Sequence, residues 1–365
     1  MVTMRDVAAK VGVSQATVSY ALRGDPSISE KTRRKVLDAA RELNYSTNLS
    51  ARSLKSGRSG AIGLVLQDLG NPYSVCVADS FSKYALKHDM QIVIQQTLYS
   101  QENETSILEH VTSAFCDAVI FSPTIISSSR IKQQLAGKPA VLLSPSDAAP
   151  ELDAIVTPCQ EGAFTAASYL LSTGCRRLLF LGKSFEPYEV TSVSPNTGVQ
   201  RMAGFQQALL RNGLPLEPER FVDSKWNSYD GRWAIENAIE RGIEFDGIVC
   251  ANDALALGAL RGVQDHGLRI PDDVSVIGFD GVVEATTSNP SLSTIAFDFD
   301  DMAKQAIDTI LAQLNDDDAD GDGQTVSPSA SAADNARAGG SSAASAAMPK
   351  RLIAKYRLVV RESTR

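Results

Sequence analysis

From Ala61 onward the sequence repeats one pattern, a short apolar run followed by a stretch long enough for a helix. The runs are 62–66, 92–94, 118–121, 140–143, 178–181, 248–250 and 274–277. Each has the length and β-branched content of a strand buried on both faces. Such strands belong to parallel sheets covered by crossover helices. More strands than one ordinary sheet holds, spread over about 250 residues, point to two sheets. The body of the chain is therefore α/β with two sheets.

Before this pattern begins, three shorter helical patterns occupy the N-terminal segment. Thr3 and Asp6 have capping-box spacing for a helix over 4–11 that stops at Gly12. Ser14 has the chemistry to cap a second helix over 15–22, ended by Gly24 and Pro26. Ser29 caps a third, with Val36, Leu37, Ala40 and Leu43 expected on its buried face. The first two, joined by the tight turn Gly12-Val13, form a helix-turn-helix. Ala8 lets the helices approach, while Val7 and Val18 fill a small core.

The charge distribution separates these two parts. The whole chain of 365 residues carries 35 Lys and Arg against 43 Asp and Glu, a net charge of −8 that by itself argues against a nucleic-acid partner. Residues 1–58 alone hold 11 Lys and Arg against 5 Asp and Glu, however, leaving the acidic excess to the body. A basic head on an acidic body suits a nucleic-acid-binding arm attached to a domain with another task.

Residues 315–349 break the body's pattern, since 26 of these 35 are Ala, Ser, Gly or Asp and none is aromatic. Too little apolar surface is present to offset ordering, which predicts a disordered insert. The apolar run 351–360 then reads as one final strand. The five cysteines show no CxxC pair and no zinc-ligand spacing, the expectation for a reduced protein with mostly buried thiols. The first ten residues lack an apolar signal region, and no later stretch approaches 18 apolar residues. This predicts neither export nor membrane spanning.

Several motifs fail their chemical tests. Asp316, Asp318, Asp320 and Gly321 imitate the start of a calcium loop, but the position that needs a bidentate Glu is Ser327, or Ser329 in the later frame. Gly182-Lys183-Ser184 resembles the end of a phosphate loop whose earlier glycine is replaced by Arg177. His88, His110 and His266 are isolated, and no GxSxG or HExxH occurs. No catalytic residue, metal ligand or cofactor is expected, and the chain reads as a non-enzyme.

The segment Met4-Arg5-Asp6-Val7-Ala8-Ala9-Lys10-Val11-Gly12-Val13-Ser14-Gln15-Ala16-Thr17-Val18-Ser19 resembles the head of the lactose/galactose repressor (LacI/GalR) family of bacterial transcription regulators. The resemblance continues through Leu43-Asn44-Tyr45, Ala51-Arg52-Ser53-Leu54, Gly204-Phe205, 252–258 and 270–280, in family order. It implies an all-α helix-turn-helix head over 1–46 and a hinge helix over 47–58. A periplasmic-binding-protein-like effector core of parallel sheets over 60–365 follows. Its N-lobe is expected at 60–158 and 292–314, its C-lobe at 161–289 and 350–362, with the insert at 315–349 between them. Crossings between lobes are expected near 157–162, near 289–293 and near the insert.

By this resemblance the second helix enters the major groove of a double-stranded DNA operator. Gln15 is then placed to pair with adenine, Ala16 to offer a methyl contact and Tyr20 to follow one turn on. Thr3, Ser14, Thr17, Ser19 and Asn44 complete the head's DNA-binding set, mostly toward phosphates. In the hinge, Leu54 wedges between central base pairs, Ala51 permits close helix pairing and Lys55 meets phosphate. Tyr20 stands where Arg or His is common in the family, and Thr47 where many relatives carry proline.

The effector is expected in the cleft between lobes, outside the carboxyl ends of the strands. The resemblance assigns Arg201, Asn252 and Asp280 as its polar partners and Trp226 as a flat apolar platform, with Tyr73 closing from the other lobe. Ser74 replaces a frequent second aromatic and Thr157 a frequent acid. A sugar ranks ahead of a purine as effector, and a homodimer or higher assembly in the bacterial cytoplasm, at the nucleoid, is implied. A transport solute-binding protein and a sugar-processing enzyme are the competing readings. The first leaves the basic head unexplained, and the second lacks a catalytic constellation.

Overall fold

The structure, a computed structural model, describes residues 2–23, 25–43, 45, 58–112, 115–321 and 348–365. It separates into two units, Met1–Gly60 and Ala61–Arg365.

In the first unit, α1 (Met4–Val11), α2 (Gln15–Arg23) and α3 (Glu30–Glu42) enclose a core of Val7, Ala8, Val18, Ala21, Val36 and Ala39. The Asp6 carboxylate accepts from both the N–H and the hydroxyl of Thr3 at 2.8 Å, which fixes the first turn. Gly12 ends α1 at φ +75°, where a side chain would be strained. Ser14 Oγ accepts from the Thr17 N–H at 3.0 Å and starts α2; Ser29 does the same for α3 through Thr32 at 3.3 Å. Leu37, expected on the buried face of α3, is only half-buried, and Ala39 is buried instead. Ala39 follows Val36 by three residues and so shares its face, whereas the adjacent Leu37 is turned about 100° away.

Among the described residues the second unit contains twelve strands: β1 (Ala61–Leu66), β2 (Gln91–Gln96), β3 (Ala118–Phe121), β4 (Ala140–Leu143), β5 (Asp153–Val156), β6 (Leu178–Leu181), β7 (Phe221–Val222), β8 (Gly247–Cys250), β9 (Ser275–Asp280), β10 (Ser293–Phe297), β11 (Arg351–Ile353) and β12 (Tyr356–Val359). They form two six-stranded sheets, ordered β11-β5-β4-β3-β1-β2 and β12-β10-β9-β8-β6-β7. All neighbours are parallel except β10 and β12. The inner strands β3, β4, β6, β8 and β9 are buried at every residue, which accounts for their unbroken apolar runs.

The main crossover helices are α4 (Pro72–Leu86), α5 (Gln101–Ser106), α6 (Ser128–Leu135), α7 (Cys159–Ser172), α8 (Thr197–Arg211), α9 (Ser228–Glu240), α10 (Asp253–Asp265) and α11 (Phe299–Gly321). In the second lobe they pack backbone against backbone. A Cβ on Gly204 of α8 would lie 2.0 Å from the Gln160 carbonyl of α7, and one on Gly258 of α10 the same distance from the Ser228 carbonyl of α9.

Among the described residues the chain passes between sheets three times. The first crossing is at Thr157-Pro158, between β5 and α7. The second lies between β10 and α11 rather than at 289–293. Residues 293–297 extend the second sheet, with Ser293 opposite Ile277, while α11 packs on the first lobe. The third lies beyond the insert, because the expected single strand over 351–360 is two. β11 joins the first sheet and β12 the second, with Ala354-Lys355 between them. The Ala354 N–H donates to the Val156 carbonyl at 2.9 Å, and Lys355 accepts from the Asp298 N–H at 3.0 Å, so each half is committed to a different lobe.

The expected insert at 315–349 lies outside the described residues over 322–347, and its first part is helical. Helix α11 continues through 315–321, since buried Ala303, Ala306, Ile307, Ile310 and Leu314 anchor one face and no Gly or Pro intervenes before Gly321. The acidic run that imitates a calcium loop thus starts on a helix.

Candidate functional site

In the head, Ser14 and Thr17 have their hydroxyls 2.9 Å apart at the start of α2, so capping fixes the orientation of its first turn. Gln15 and Ala16 are exposed there, Tyr20 is 42% exposed one turn later, and Thr17 and Ser19 are half-buried beside them. Thr3 is exposed at the start of α1. Helix α3 carries Arg33 and Arg34 at 3.8 and 3.5 Å from Glu30, exposed ion pairs that contribute little and are readily exchanged for a phosphate. Asn44, Ala51, Leu54 and Lys55, with most of the expected hinge, lie outside the described residues.

In the second unit the five expected cleft residues come from five separate segments. Arg201, on the buried face of α8, is the hub. Its Nη2 donates to Asp280 Oδ1 at 3.2 Å, its Nε to Cys159 Sγ at 3.5 Å and its Nη1 to the Ala251 carbonyl. The guanidinium lies 4.0 Å from the Phe279 ring centroid and 5.1 Å from that of Trp226. Such stacking suits the weakly hydrated guanidinium plane.

Trp226 is held from two sides. Its Nε1 donates to the Gly182 carbonyl at 3.1 Å, and a Cβ on Gly198 would lie 2.8 Å from its Cζ2. Asn252 anchors the same residue, donating from Nδ2 to the Trp226 carbonyl at 3.2 Å while its Oδ1 caps α10 through the Leu255 N–H at 2.9 Å. Asn252 is only 1% exposed and braces the platform. Tyr73 opens α4 behind the Asn71 cap and packs edge-on to Phe299, ring centroids 5.6 Å apart. Burial pushes its hydroxyl up, and the nearby Asp280 adds to this.

Asp280 occupies a backbone region few non-glycine residues adopt, with φ +127°, and Gly281 follows at φ +81°. The turn is secured by Asp253, whose carboxylate accepts from the N–H groups of Gly281 and Val282 at 2.7 and 2.9 Å and from the Thr294 hydroxyl at 2.6 Å. Burial pushes the Asp280 carboxyl up to about 8; Arg201 draws it down and Asp253 pushes it further up. Asp253, Phe279 and Cys159 were not singled out from the sequence. Asp253 stood inside the Asn252–Gly258 motif, and the signal for it was Gly278, where a Cβ would lie 2.1 Å from Asp253 Oδ1.

A cavity of about 200 Å³ lies between the loops after β4 and β6, with Ser144, Gln160 and Gln200 among its lining. Among the described residues no group of three or more His, Cys, Asp or Glu is arranged to hold a metal, and no helix is long and apolar enough to cross a membrane.

Residues 3–48 match the family described as bacterial regulatory proteins, lacI family, and residues 167–332 match the periplasmic binding protein-like domain. The chain belongs to the LacI/GalR family. Both domains match in the order that the LacI/GalR resemblance implied, the helix-turn-helix first and the two-sheet core after it. Among relatives of this LacI-family chain, the HTH-type transcriptional regulator AscG of Escherichia coli is 28% identical over 323 residues, covering 87% of this chain and 94% of that protein. A structure of a putative LacI-family transcriptional regulator from Sanguibacter keddieii is 27% identical with a TM-score of 0.66, covering 84% and 98% of the two chains. The Lac repressor dimer bound to operator and the anti-inducer ONPF shares the fold, with a TM-score of 0.73, 24% identity and coverage of 100% and 99%.

The family departures noted in the sequence have structural counterparts. Ser74, where a second aromatic is frequent, is buried on α4 at 2% exposure. Thr157 binds Ser144 Oγ at 2.9 Å and Cys159 Sγ at 3.3 Å, a neutral bridge where family members often carry an acid.

Proposed function

We propose that this LacI-family DNA-binding regulator acts as a repressor of carbohydrate-utilisation genes. Its homodimer binds a pseudo-palindromic operator and is controlled by a sugar held between the lobes. The observation that carries the reading is the pairing of Arg201 with Asp280 beside Trp226, at the carboxyl ends of the second sheet's strands. A guanidinium fork next to a carboxylate suits adjacent hydroxyls, and a flat indole suits the C–H face of a sugar ring. Tyr73 closes over the site from the first lobe, while Asn252 and Asp253 hold it in shape.

Toward DNA, the exposed Gln15 and Ala16 read base edges, with Tyr20 one turn behind. Thr3, Ser14, Thr17, Ser19 and Asn44 set the register on phosphates. Ala51, Leu54 and Lys55 belong to a hinge that enters the minor groove. One short recognition helix reads a half-site, so a twofold pair of subunits matches a palindrome. The protein acts in the cytoplasm on nucleoid DNA. Ligand and operator are linked: a ligand preferring one lobe arrangement shifts operator affinity, and the operator shifts ligand affinity by the same factor.

A gel shift of the full-length protein with imperfect palindromes bearing a central CG step, at low salt with excess nonspecific DNA, tests the reading. Retention of a palindrome is expected. Failure to retain any of them returns the core to a solute-binding or enzymatic role.

A further inference from the structure

We propose that the inter-lobe cleft takes a neutral saccharide of two units, one on the Trp226 face and the second in the cavity between the loops at 144–150 and 192–200. This rests on reading the cleft as a saccharide site.

The cavity measures about 200 Å³. At ~30 Å³ of liquid volume per water it holds the equivalent of six or seven waters, room for one ring-sized unit. It is smaller than the 300–1,000 Å³ typical of a whole ligand site, as expected of one compartment of a larger one. Pro145, Pro150 and Pro195 present rigid apolar rings to it, and Ser144, Gln160 and Gln200 present hydroxyl and amide groups. That mixture matches a pyranose, which has C–H faces and hydroxyl edges.

The cavity and the Trp226 cluster draw on the same helix, α8. Thr197 and Gln200 line the cavity, and their neighbours on α8, Gly198 and Arg201, face Trp226. A second connection runs through side chains: Ser144 Oγ lies 2.9 Å from Thr157 Oγ1, Thr157 Oγ1 3.3 Å from Cys159 Sγ, and Cys159 Sγ accepts from Arg201 Nε at 3.5 Å. The same chain bridges the lobes, since Ser144 and Thr157 adjoin the first sheet and Arg201 the second.

The charges indicate a neutral ligand. Arg201 faces the two buried carboxyls of Asp280 and Asp253, which together offset its charge, and Asp147 in the cavity wall already accepts from the Ser128 N–H at 2.5 Å. Arg351 and Asp147 are the cavity's charged lining groups and offset one another. An anionic sugar would meet no surplus of positive charge.

The test uses the full chain with Trp233→Phe, which leaves Trp226 as the sole tryptophan emitter, since the protein contains two. Trp233 lies on the surface of α9, 51% exposed. Fluorescence is titrated with glucose, galactose, cellobiose, maltose, lactose and melibiose, and with hypoxanthine as a purine. At least one disaccharide should bind about tenfold or more tightly than either of its constituent monosaccharides. Ala148→Phe fills the cavity from an exposed position, and Gln200→Ala removes an amide; each should erase most of that advantage. A monosaccharide binding as tightly as every disaccharide that contains it, or a disaccharide advantage that survives both variants, overturns the two-unit proposal and leaves the saccharide reading standing. A response to hypoxanthine alone, or to none of the compounds, overturns the saccharide reading itself.

Discussion

Arg201 Nη2 donates to Asp280 Oδ1 at 3.2 Å, and both side chains are nearly closed to solvent, at 7% and 4% exposure. Asp253 lies close enough for its charge to be felt by both. One guanidinium therefore faces two buried carboxylates. Burial raises both carboxyls; the three hydrogen bonds that Asp253 accepts and the nearby Arg201 draw it back down, while Asp280 is raised to about 8.

This sets a pH dependence. Asp280 is raised to about 8, above the ~3.9 of a free aspartate, so between those values the folded state holds a proton the unfolded chain has released. Its contribution to stability is fully present below about pH 4 and is lost as pH rises to about 8. Urea unfolding of the wild type and of Asp280→Asn from pH 5 to 9 should show the wild type losing stability relative to the variant up to about pH 8, then a constant difference. A difference that stays flat across the range counts against a raised Asp280.

Close packing beneath the site gives a second expectation. A Cβ on Gly278 would sit 2.1 Å from Asp253 Oδ1, and that carboxylate is held by three donors. Gly278→Ala should cost about 1–3 kcal/mol, as overpacking generally does, and should weaken ligand binding by disturbing the Asp280 turn. Chemical denaturation and a ligand titration on the same preparation check both effects.

Trp226 carries the apolar half of recognition. Replacing it by Leu removes the indole face and the hydrogen bond to the Gly182 carbonyl. Ligand affinity should fall by roughly 1–2 kcal/mol, the order of an aromatic contact with its area, while operator affinity without ligand stays near wild type. Calorimetry and a gel shift separate the two readouts.

On the head, Gln15→Ala should relax preference at one base pair of each half-site, costing about 1–3 kcal/mol there and little elsewhere. Ser14→Ala should lower affinity for all sequences, because the lost cap loosens the start of α2. Titrations over single-base operator variants distinguish them. Uniform weakening by Gln15→Ala contradicts its assignment to a base edge.

Much of this architecture was legible because periodicity and burial agree. The inner strands are apolar at nearly every position and were visible as runs. Strands β5, β7 and β10 were not, since β5 opens on an aspartate, β7 spans two residues and β10 begins Ser293-Thr294, whose hydroxyls are buried but satisfied by Thr364 and Asp253. The division of 351–360 between two sheets was hidden for another reason: both halves are β-rich, and the switch shows in the pairing of β11 with β5 and of β12 with β10.

At the site, motif spacing brought Arg201, Trp226, Asn252, Asp280 and Tyr73 to one place, yet it did not distinguish presenting residues from supporting ones. Asn252 looks like a ligand-binding amide in sequence and is a cap and a brace in the structure. Cys159, a lone thiol in sequence, acquires meaning only from Arg201 Nε at 3.5 Å, a contact across 42 residues of chain.

Operator selectivity tests the central claim most directly. Fluorescence anisotropy would compare full-length protein on a labelled imperfect palindrome with a central CG step, chosen by selection from a randomised pool, and on the same bases scrambled, at fixed salt. Preference for the palindrome by about a thousandfold or more is expected of a sequence-specific dimer, and it should be largely lost when one half-site is scrambled. Equal affinity for palindrome and scrambled duplex would contradict it.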